Sequence, residues 1–168
     1  KIYKNKVKPI LEKEGVRFLM KVPGVNQVIM NKIKTELINA FGGEFYEVII
    51  GGAAFNKEVE AFFKKMGFPF TVGYGMTECA PIITYDDWQE EKLYSCGKAA
   101  PNMEVRIASA DPVNIPGEIQ IKGANVFLGY FKNPDATNEV LDADGWFHTG
   151  DMGVIDADGY LYLRGRSK

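Results

Sequence analysis

The sequence predicts an α/β fold followed by a β fold: a partial parallel βαβ subdomain over residues 1–85, then a small antiparallel β-barrel subdomain over residues 86–168. The first prediction comes from a strand, a helix and a second strand that follow one another within about thirty residues, the length of a βαβ unit. The second comes from short alternating strands, separated by turn signals, after residue 85. No evident flexible linker separates the two halves.

Two helices are predicted ahead of the βαβ unit. The first is indicated by apolar residues at roughly helical spacing, with a kink or restart at Pro9. These residues are Ile2, Tyr3, Val7, Ile10 and Leu11. The second helix runs from Val25 to Phe41 along one apolar stripe, and Gly42–Gly43 supplies its stop.

The βαβ unit itself lies between residues 45 and 75. An apolar run, Phe45–Ile50, predicts a strand that ends in the small residues 51–54. Asn56 is placed to cap a helix that ends at Gly67, and Phe68–Val72 predicts the second strand. Ligands of parallel sheets collect at the carboxyl ends of the strands, so the glycine-rich turns after both strands are the first place to look for a site.

The second half alternates short strands and turns. Strands are predicted at residues 104–107, 118–121 and 160–163, with turns at 114–117 and 158–159. One short helix is expected from Pro134 to Leu141. This pattern fits a small antiparallel barrel or a sandwich, and the barrel is our prediction.

Composition excludes several classes of protein. With 46% hydrophobic and 25% charged residues and a net charge of −2, the chain is neither a disordered protein nor a typical nucleic-acid binder, which would carry a basic excess. No apolar run approaches the about 20 residues that cross a bilayer. Two cysteines and one histidine are too few for a disulfide framework or a multi-histidine zinc site. A cytoplasmic location is expected, either free or peripheral to a membrane.

The strongest local signal is the segment Gly73–Glu78, Gly-Tyr-Gly-Met-Thr-Glu. Its glycines let the backbone approach a ligand, Tyr74 offers a flat face for a base, and Thr77 offers a hydroxyl for a phosphate. Glu78 is a hard oxygen ligand suited to Mg²⁺. The same spacing also fits a plain glycine turn with a capping box, and the segment is not a Walker loop.

Two further segments are candidates for the same site. Gly51, Gly52 and Ala53 leave room for a planar ring at the neighbouring strand end, although glycine is common in such turns. In Gly145–Asp151, the carboxylate of Asp151 has the acceptors that two ribose hydroxyls require, whereas the alternative is a hairpin turn with an exposed carboxylate. His148 is interpreted as structural or as part of the site wall, because the sequence identifies no partner to orient it.

Two other features predict no chemistry. The Asp-Ala-Asp-Gly tetrads at residues 142–145 and 156–159 lack the glycine and glutamate spacing of an EF-hand, so they are predicted to be hairpin turns. Cys79 has no histidine nearby in sequence to activate it, so it is predicted to be a small packing side chain rather than a nucleophile.

Five segments occur together and in a fixed order. They are Gly51–Ala53, Gly73–Glu78, Gly117–Gly123 continuing to Gly129–Tyr130, Thr149–Asp151, and Gly165–Arg166. In this order they resemble the motifs of the adenylate-forming superfamily, which includes acyl-CoA synthetases, luciferases and peptide-synthetase adenylation domains. Residues 76–81 look most like the long-chain fatty acyl-CoA synthetases. The resemblance covers essentially the whole chain and implies the fold of part of that family's N-terminal domain.

The resemblance also implies a reaction and a set of roles. A carboxylic acid attacks the α-phosphate of Mg·ATP to give an acyl-adenylate and pyrophosphate, and a thiol, usually coenzyme A, displaces AMP. Tyr74 would stack on adenine beside Gly51, Gly52 and Ala53, Thr77 would contact phosphate, and Glu78 would hold Mg²⁺; these last two are the implied catalytic residues. Asp151 would bind the ribose with help from Arg166. The full set implied for the nucleotide is Gly51, Gly52, Ala53, Gly73, Tyr74, Gly75, Met76, Thr77, Asp151 and Arg166.

The departures from the family pattern lead to a further expectation. The Ser/Thr/Gly-rich phosphate loop and the catalytic lysine of the family do not occur in these residues, and the sequence stops where the family's interdomain hinge begins. We therefore expect a fragment of an acyl-CoA ligase that is inactive alone, with apolar surface that could promote self-association. The alternatives are a non-catalytic nucleotide-binding module and a purely structural domain.

Overall fold

The computed structural model describes residue 5 and residues 7–166. Ile2 and Tyr3 of the predicted first helix, and Ser167 and Lys168 at the end of the predicted second subdomain, lie outside the described residues. Within them the helices are α1 (Lys8–Leu11), α2 (Glu14–Leu19), α3 (Val25–Ala40), α4 (Lys57–Met66) and α5 (Pro134–Val140). The strands are β1 (Val48–Ile50), β2 (Phe70–Val72), β3 (Tyr74–Gly75), β4 (Ile82–Tyr85), β5 (Lys98–Ala99), β6 (Met103–Ala108), β7 (Gly117–Gly123), β8 (Phe147–Ile155) and β9 (Leu161–Arg166). None of these helices is both long and apolar enough to cross a bilayer.

The chain divides into two compact units. One contains the described residues of 1–46 and 56–69, and the other contains residues 47–55 and 70–166. The predicted boundary between residues 85 and 86 does not coincide with this division and stays a prediction.

The first unit is helical. The Asn56 side chain caps α4 by accepting a hydrogen bond from the Val59 amide at 3.1 Å, and Gly67 ends the helix with a φ of +65°. Both features follow from the local sequence as predicted. The rings of Phe63 and Phe68 pack with centroids 4.8 Å apart, among the buried residues Met30, Leu37, Val59 and Met66.

The second unit contains the parallel pair. β1 and β2 run parallel, with Val48 opposite Phe70 and Ile50 opposite Val72, and α4 lies between them in the chain. The predicted parallel βαβ connection is therefore confirmed. Each strand is three residues long, shorter than the apolar runs from which it was predicted, because apolar composition does not determine which residues pair with the neighbouring strand.

Two antiparallel sheets complete the second unit. β3, β4 and β5 form one, and β6, β7, β8 and β9 form the other in that order. The inward side chains of the four-stranded sheet are almost fully buried: Ile107, Ile119, Ile121, Phe147, Val154 and Leu161. A mixed α/β class with parallel and antiparallel sheets is thus confirmed.

The predicted barrel is wrong. Among the described residues the four-stranded sheet is open, with β6 and β9 at its edges. The alternation that suggested a barrel shows that one face of each strand is buried, but closure also requires enough strands, tilt and shear for the first strand to meet the last. Four strands in sequence order do not meet that condition.

Both Asp-Ala-Asp-Gly tetrads form turns, as predicted. In the first, Asp142 Oδ1 accepts hydrogen bonds from the amides of Asp144 and Trp146. In the second, Asp156 Oδ1 accepts from the amides of Asp158 and Tyr160, each at 3.0 Å. These are side-chain-stabilised turns that join one strand to the next element.

A lysine ties the second turn to a distant loop. Lys92 Nζ donates to Asp156 Oδ2 at 2.7 Å and to Asp158 Oδ2 at 3.1 Å. Partial burial works to raise the pKa of Asp156, but the hydrogen bonds from Lys92, from two backbone amides and from the Tyr162 hydroxyl outweigh it and lower that pKa. The charged carboxylate therefore stabilises the folded chain.

We expect Asp156→Asn to destabilise the chain at neutral pH and not at acidic pH. A carboxyl pKa that folding lowers contributes stability above the unfolded value, which is 3.8 for aspartic acid, and loses it as the pH falls through the folded value. Urea unfolding of both proteins at several pH values between about 7 and 3 measures the difference. Asp144→Asn, at an exposed position of the first tetrad, is the matched control. A pH-independent difference would contradict the assignment.

Candidate functional site

The turns at the ends of β1 and β2 run side by side. The Gly73 amide donates to the Ile50 carbonyl at 2.9 Å, and a Cβ on Gly51 would lie 3.4 Å from the Gly73 carbonyl oxygen. Small residues at both positions therefore keep the two backbones in contact. They also form the floor of an apolar cavity of about 410 Å³, which extends to Thr77, Pro81 and Ile82.

A tyrosine, an aspartate and an arginine meet beside this floor. The Tyr74 hydroxyl donates to Asp151 Oδ2 at 2.8 Å, and Arg166 Nε donates to Asp151 Oδ1 at 3.1 Å. The carboxylate is 13% exposed, whereas the arginine side chain is 81% exposed. Each carboxylate oxygen thus has one fixed donor and keeps lone pairs for further hydrogen bonds.

Tyr74 is a neutral donor under all ordinary conditions. Its ring is 7% exposed. Burial is the main cause that raises the pKa of its hydroxyl, and the nearby Asp151 carboxylate raises it further, although a hydrogen bond with Thr149 acts in the opposite direction. The hydroxyl therefore keeps its proton and orients the carboxylate rather than taking part in proton transfer.

A second cavity surrounds this group. Its volume is about 430 Å³. Its walls come from the turn at residues 52–55, from Val72–Gly75, and from Cys96, Asp151, Leu163, Gly165 and Arg166. A flat apolar floor, an aromatic ring and an oriented carboxylate at the rim form a combination suited to a nucleoside, whose base is planar and whose ribose presents two hydroxyls.

Glu78 lines a third cavity. This cavity measures about 360 Å³ and is also lined by Tyr130, His148, Asp151 and Arg166. The Tyr130 hydroxyl donates to Glu78 Oε1 at 3.0 Å. Burial, together with the Glu78 carboxylate, raises the pKa of Tyr130, so this donor stays protonated.

The donor set fits magnesium and does not form a complete metal cage. No group of three or more His, Cys, Asp or Glu side chains that could hold a metal occurs among the described residues. Mg²⁺ characteristically takes one or two carboxylates from the protein and completes its shell with phosphate oxygens and water. Glu78, fixed by Tyr130 and opening into a cavity, matches that requirement.

The loop that carries Glu78 is anchored from residues 125–130. Asn125 Nδ2 donates to the carbonyls of Cys79 at 2.7 Å and Ile82 at 2.9 Å, and the Phe127 amide donates to the Glu78 carbonyl at 2.7 Å. Burial, with the Glu78 charge, raises the pKa of the fully buried Cys79 to about 11. The thiol therefore stays protonated and packs, as expected of a residue that is not a nucleophile.

The predicted residues line three neighbouring cavities and share several of their walls. Gly51, Gly52, Gly73, Gly75, Met76 and Thr77 line the first cavity with Tyr74. Ala53, Asp151 and Arg166 line the second with Tyr74, and Glu78 lines the third together with Asp151 and Arg166. Tyr74, Asp151 and Arg166 are in direct contact, and Thr77 and Glu78, although adjacent in sequence, face different cavities. The role of each residue toward a nucleotide stays a prediction.

His148 lines the third cavity, in agreement with its interpretation as structural or part of the site wall, whereas the contacts of Tyr130, Glu118 and His148 with their partners are not indicated by the sequence. Tyr130 holds Glu78 from 52 positions away, Glu118 contacts the turn that precedes Asp151, and His148 has carboxylate partners in Glu118 and Asp142. No local pattern signals these contacts, because each joins strands or loops that only the tertiary fold brings together.

Comparison with known proteins gives a consistent result. The family model described as AMP-binding enzyme matches residues 3–131. A long-chain-fatty-acid–CoA ligase from Bos taurus is 39% identical over 118 residues, which are 70% of this chain and 16% of that protein. Luciferin 4-monooxygenase from Luciola mingrelica is 37% identical over 143 residues, 80% of this chain and 26% of that protein.

A solved structure shows the same fold. It is o-succinylbenzoate coenzyme A synthetase from Bacillus subtilis in complex with ATP and magnesium ion, with a TM-score of 0.64 and 28% identity. The similarity covers 79% of this chain and 30% of that one. The chain therefore spans between about a sixth and a third of the length of the proteins that it matches.

Proposed function

The chain belongs to the AMP-binding enzyme family, and from this membership we propose that it forms the adenosine-binding side of an adenylate-forming ligase. The observation that carries the proposal is the Asp151 carboxylate. It is held by Tyr74 and Arg166 at the rim of a cavity floored by the glycine turns of two parallel strands. A carboxylate in such a position has acceptors left for the two hydroxyls of a ribose.

The proposed roles follow the geometry. The adenine would lie against the turn at Gly51–Ala53 and the Tyr74 ring, and the ribose hydroxyls would donate to Asp151. Thr77 would offer its hydroxyl to a phosphate oxygen. Glu78 would hold Mg²⁺, which, when bound, neutralises phosphate charge. Fixed dipoles and charges of this kind lower the cost of charge that develops during acyl transfer to phosphate.

The finer proposal concerns the substrates of the whole protein. We propose a carboxylic acid, specifically a fatty acid, as the group that is adenylated, with coenzyme A as the thiol that accepts it. Residues 76–81 support this, because they look like the long-chain fatty acyl-CoA synthetases, and the ligase from Bos taurus matches at 39% identity. Luciferin 4-monooxygenase matches at a similar identity, 37%, so sequence identity alone does not distinguish a fatty acid from another carboxylic acid.

A second candidate function is a non-catalytic adenine-nucleotide-binding module. One observation favours this candidate. The residues proposed to bind adenosine, Tyr74, Asp151 and Arg166, contact one another directly within this chain. The phosphate side rests on Thr77 and Glu78 alone. The two candidates share AMP binding and differ in turnover.

Saturable binding of AMP to the chain, measured by isothermal titration calorimetry, tests the proposal. We expect AMP to bind. Ribose 5-phosphate, which lacks the base, is not expected to bind at the same concentrations, because the base supplies the apolar contact. Tyr74→Phe keeps the ring and removes the hydroxyl that holds Asp151, so we expect AMP affinity to fall by about fivefold, the effect of one hydrogen bond. Tyr85→Phe is the control.

Two results would count against the proposal. Absence of saturable AMP binding by the folded chain contradicts the adenosine site itself. Pyrophosphate release from ATP and a fatty acid at a normal enzymatic rate contradicts the expectation that the 168 residues alone do not turn over. Both measurements use the same preparation, with circular dichroism to establish that it is folded.

A further inference from the structure

The segment that presents Asp151 is a bulge in β8. Glu118 of β7 stands opposite Met152, and Gln120 stands opposite His148. One residue of β7 therefore faces three residues of β8, Thr149, Gly150 and Asp151, and Gly150 adopts a φ of +70°. Bulges next to active sites re-aim side chains, so the direction of the Asp151 carboxylate depends on what holds this bulge.

Glu118 and Thr149 hold the backbone of this bulge, whereas Tyr74 and Arg166 hold the Asp151 carboxylate itself. Glu118 Oε1 accepts a hydrogen bond from the Gly150 amide at 3.1 Å. Thr149 Oγ1 donates to the Ile119 carbonyl at 2.7 Å and accepts from the Asp151 amide at 3.1 Å. Only the first of these contacts involves a charged group, and a hydrogen bond to a charged acceptor is about twice as strong as a neutral one. Glu118 is therefore the charged anchor of the bulge backbone.

The second oxygen of Glu118 reaches the only histidine of the sequence. Its Oε2 lies 2.9 Å from His148 Nδ1, and Asp142 Oδ2 lies 3.7 Å from His148 Nε2. Gln120 Nε2 also lies 3.2 Å from Nδ1, and the Gln120 side chain is fixed by Arg106. The imidazole, one-third exposed, lines the third cavity with Glu78, Asp151 and Arg166.

We propose that Glu118 is a positioning residue that aims Asp151 by holding the Gly150 amide, and that the protonation of His148 modulates this hold. The inference rests on the proposed function for its consequence in nucleotide binding. The physical link is a single carboxylate whose two oxygens contact different groups, the Gly150 amide at Oε1 and the His148 imidazole at Oε2. When His148 gains or loses its proton, the charge next to Oε2 changes, and the hydrogen bond at Oε1 responds because both oxygens share one electron system.

The consequence for nucleotide binding is selective. A bulge that is no longer anchored misdirects the carboxylate of Asp151 but leaves the floor at residues 51–53 in place. The ribose hydroxyls therefore lose their acceptor while the base keeps its contacts. If Glu118 merely supported the fold, its substitution would instead weaken the binding of every ligand of the cavity to the same extent.

The first experiment compares AMP with 2′,3′-dideoxy-AMP, which lacks both ribose hydroxyls. We expect Glu118→Leu, which cannot accept a hydrogen bond, to weaken AMP binding by about tenfold and dideoxy-AMP binding by less than twofold. Glu118→Gln retains an acceptor for the Gly150 amide and is expected to restore most of the AMP affinity. Glu104→Leu, at an exposed position of β6, is the control. Equal weakening of both nucleotides, or no weakening, overturns the proposal.

The second experiment needs no nucleotide and separates this inference from the proposed function. In two-dimensional ¹H–¹⁵N NMR spectra of the ligand-free chain, the Gly150 amide resonance is expected to shift with pH at the same midpoint as the His148 imidazole. Both His148→Gln and Glu118→Gln are expected to remove that shift. If the pH dependence of the Gly150 amide resonance is the same in wild type and in His148→Gln, the coupling is overturned even if AMP binds. If AMP does not bind but the coupling is present, the proposed function alone fails.

Discussion

Asp151→Ala is expected to weaken AMP binding by about 100-fold. The carboxylate has about four acceptor positions, of which Tyr74 and Arg166 each take one. The remaining two match the 2′- and 3′-hydroxyls of a ribose. Hydrogen bonds to a charged group contribute about 1.5–3 kcal/mol each, and two of them at the lower limit of this range account for a loss of about 100-fold.

The loss of affinity must be tied to the ribose. Dideoxy-AMP lacks the two hydroxyls, so we expect it to bind wild-type chain and Asp151→Ala with similar, weak affinity. The double comparison of two proteins and two ligands isolates the interaction between carboxylate and ribose from any general change in the cavity. If Asp151→Ala weakens both nucleotides equally, the carboxylate does not contact the sugar.

A matched variant separates the binding effect from charge alone. Asp144→Ala removes one negative charge from an exposed turn of the same unit and is expected to leave AMP affinity unchanged. Folding is not expected to be the cause of the loss in Asp151→Ala. The Arg166 side chain of the ion pair is 81% exposed, so the pair contributes about 0–1 kcal/mol to stability, and the hydrogen bond from Tyr74 adds about 1 kcal/mol. Urea unfolding of the two variants checks this.

Structural features that depend on residues close together in the chain can be predicted from the sequence. The cap at Asn56, the stop at Gly67 and the two tetrad turns depend on groups within a few positions, and the structure confirms each of them. The parallel order of β1 and β2 is also predictable, because a helix between two short strands leaves few other arrangements.

Contacts between distant segments are not predictable in this way. Tyr130 and Glu78 are 52 positions apart, and Glu118 and Gly150 are 32 apart. A periodic pattern states which face of a strand is buried but not which strand lies beside it, so these pairs appear only when the fold is known. The same limitation explains the predicted barrel, since alternation in β6–β9 does not determine whether the sheet closes.

Asp151 illustrates an intermediate case. A flanking glycine and the resemblance to a known motif indicate a carboxylate for ribose, yet neither indicates the bulge that presents it. That bulge depends on a register shift between β7 and β8, which arises from pairing of the two strands. The type of residue was therefore predictable, and the geometry that orients it was not.

Gly75→Ala is expected to lower the free energy of unfolding by more than about 3 kcal/mol. A Cβ at this position would overlap the carbonyl oxygen of Pro81 and would lie 2.8 Å from its carbon. These are backbone atoms of the neighbouring strand end and cannot move aside as a flexible side chain can. The Met76 amide also donates to the Pro81 carbonyl at 2.8 Å, so the displacement breaks the contact that closes the loop.

The matched control is Gly15→Ala, where a Cβ meets nothing within 4 Å and the residue lies in α2. Alanine there is expected to stabilise the chain slightly, by about 0.5–1 kcal/mol, because glycine is the weaker helix former. Urea unfolding of both variants gives the comparison. If Gly75→Ala unfolds at the same urea concentration as wild type, the close approach of the two backbones is wrong. The loop that carries Thr77 and Glu78 would then have a different course, and the arrangement proposed for the phosphate side would fail with it.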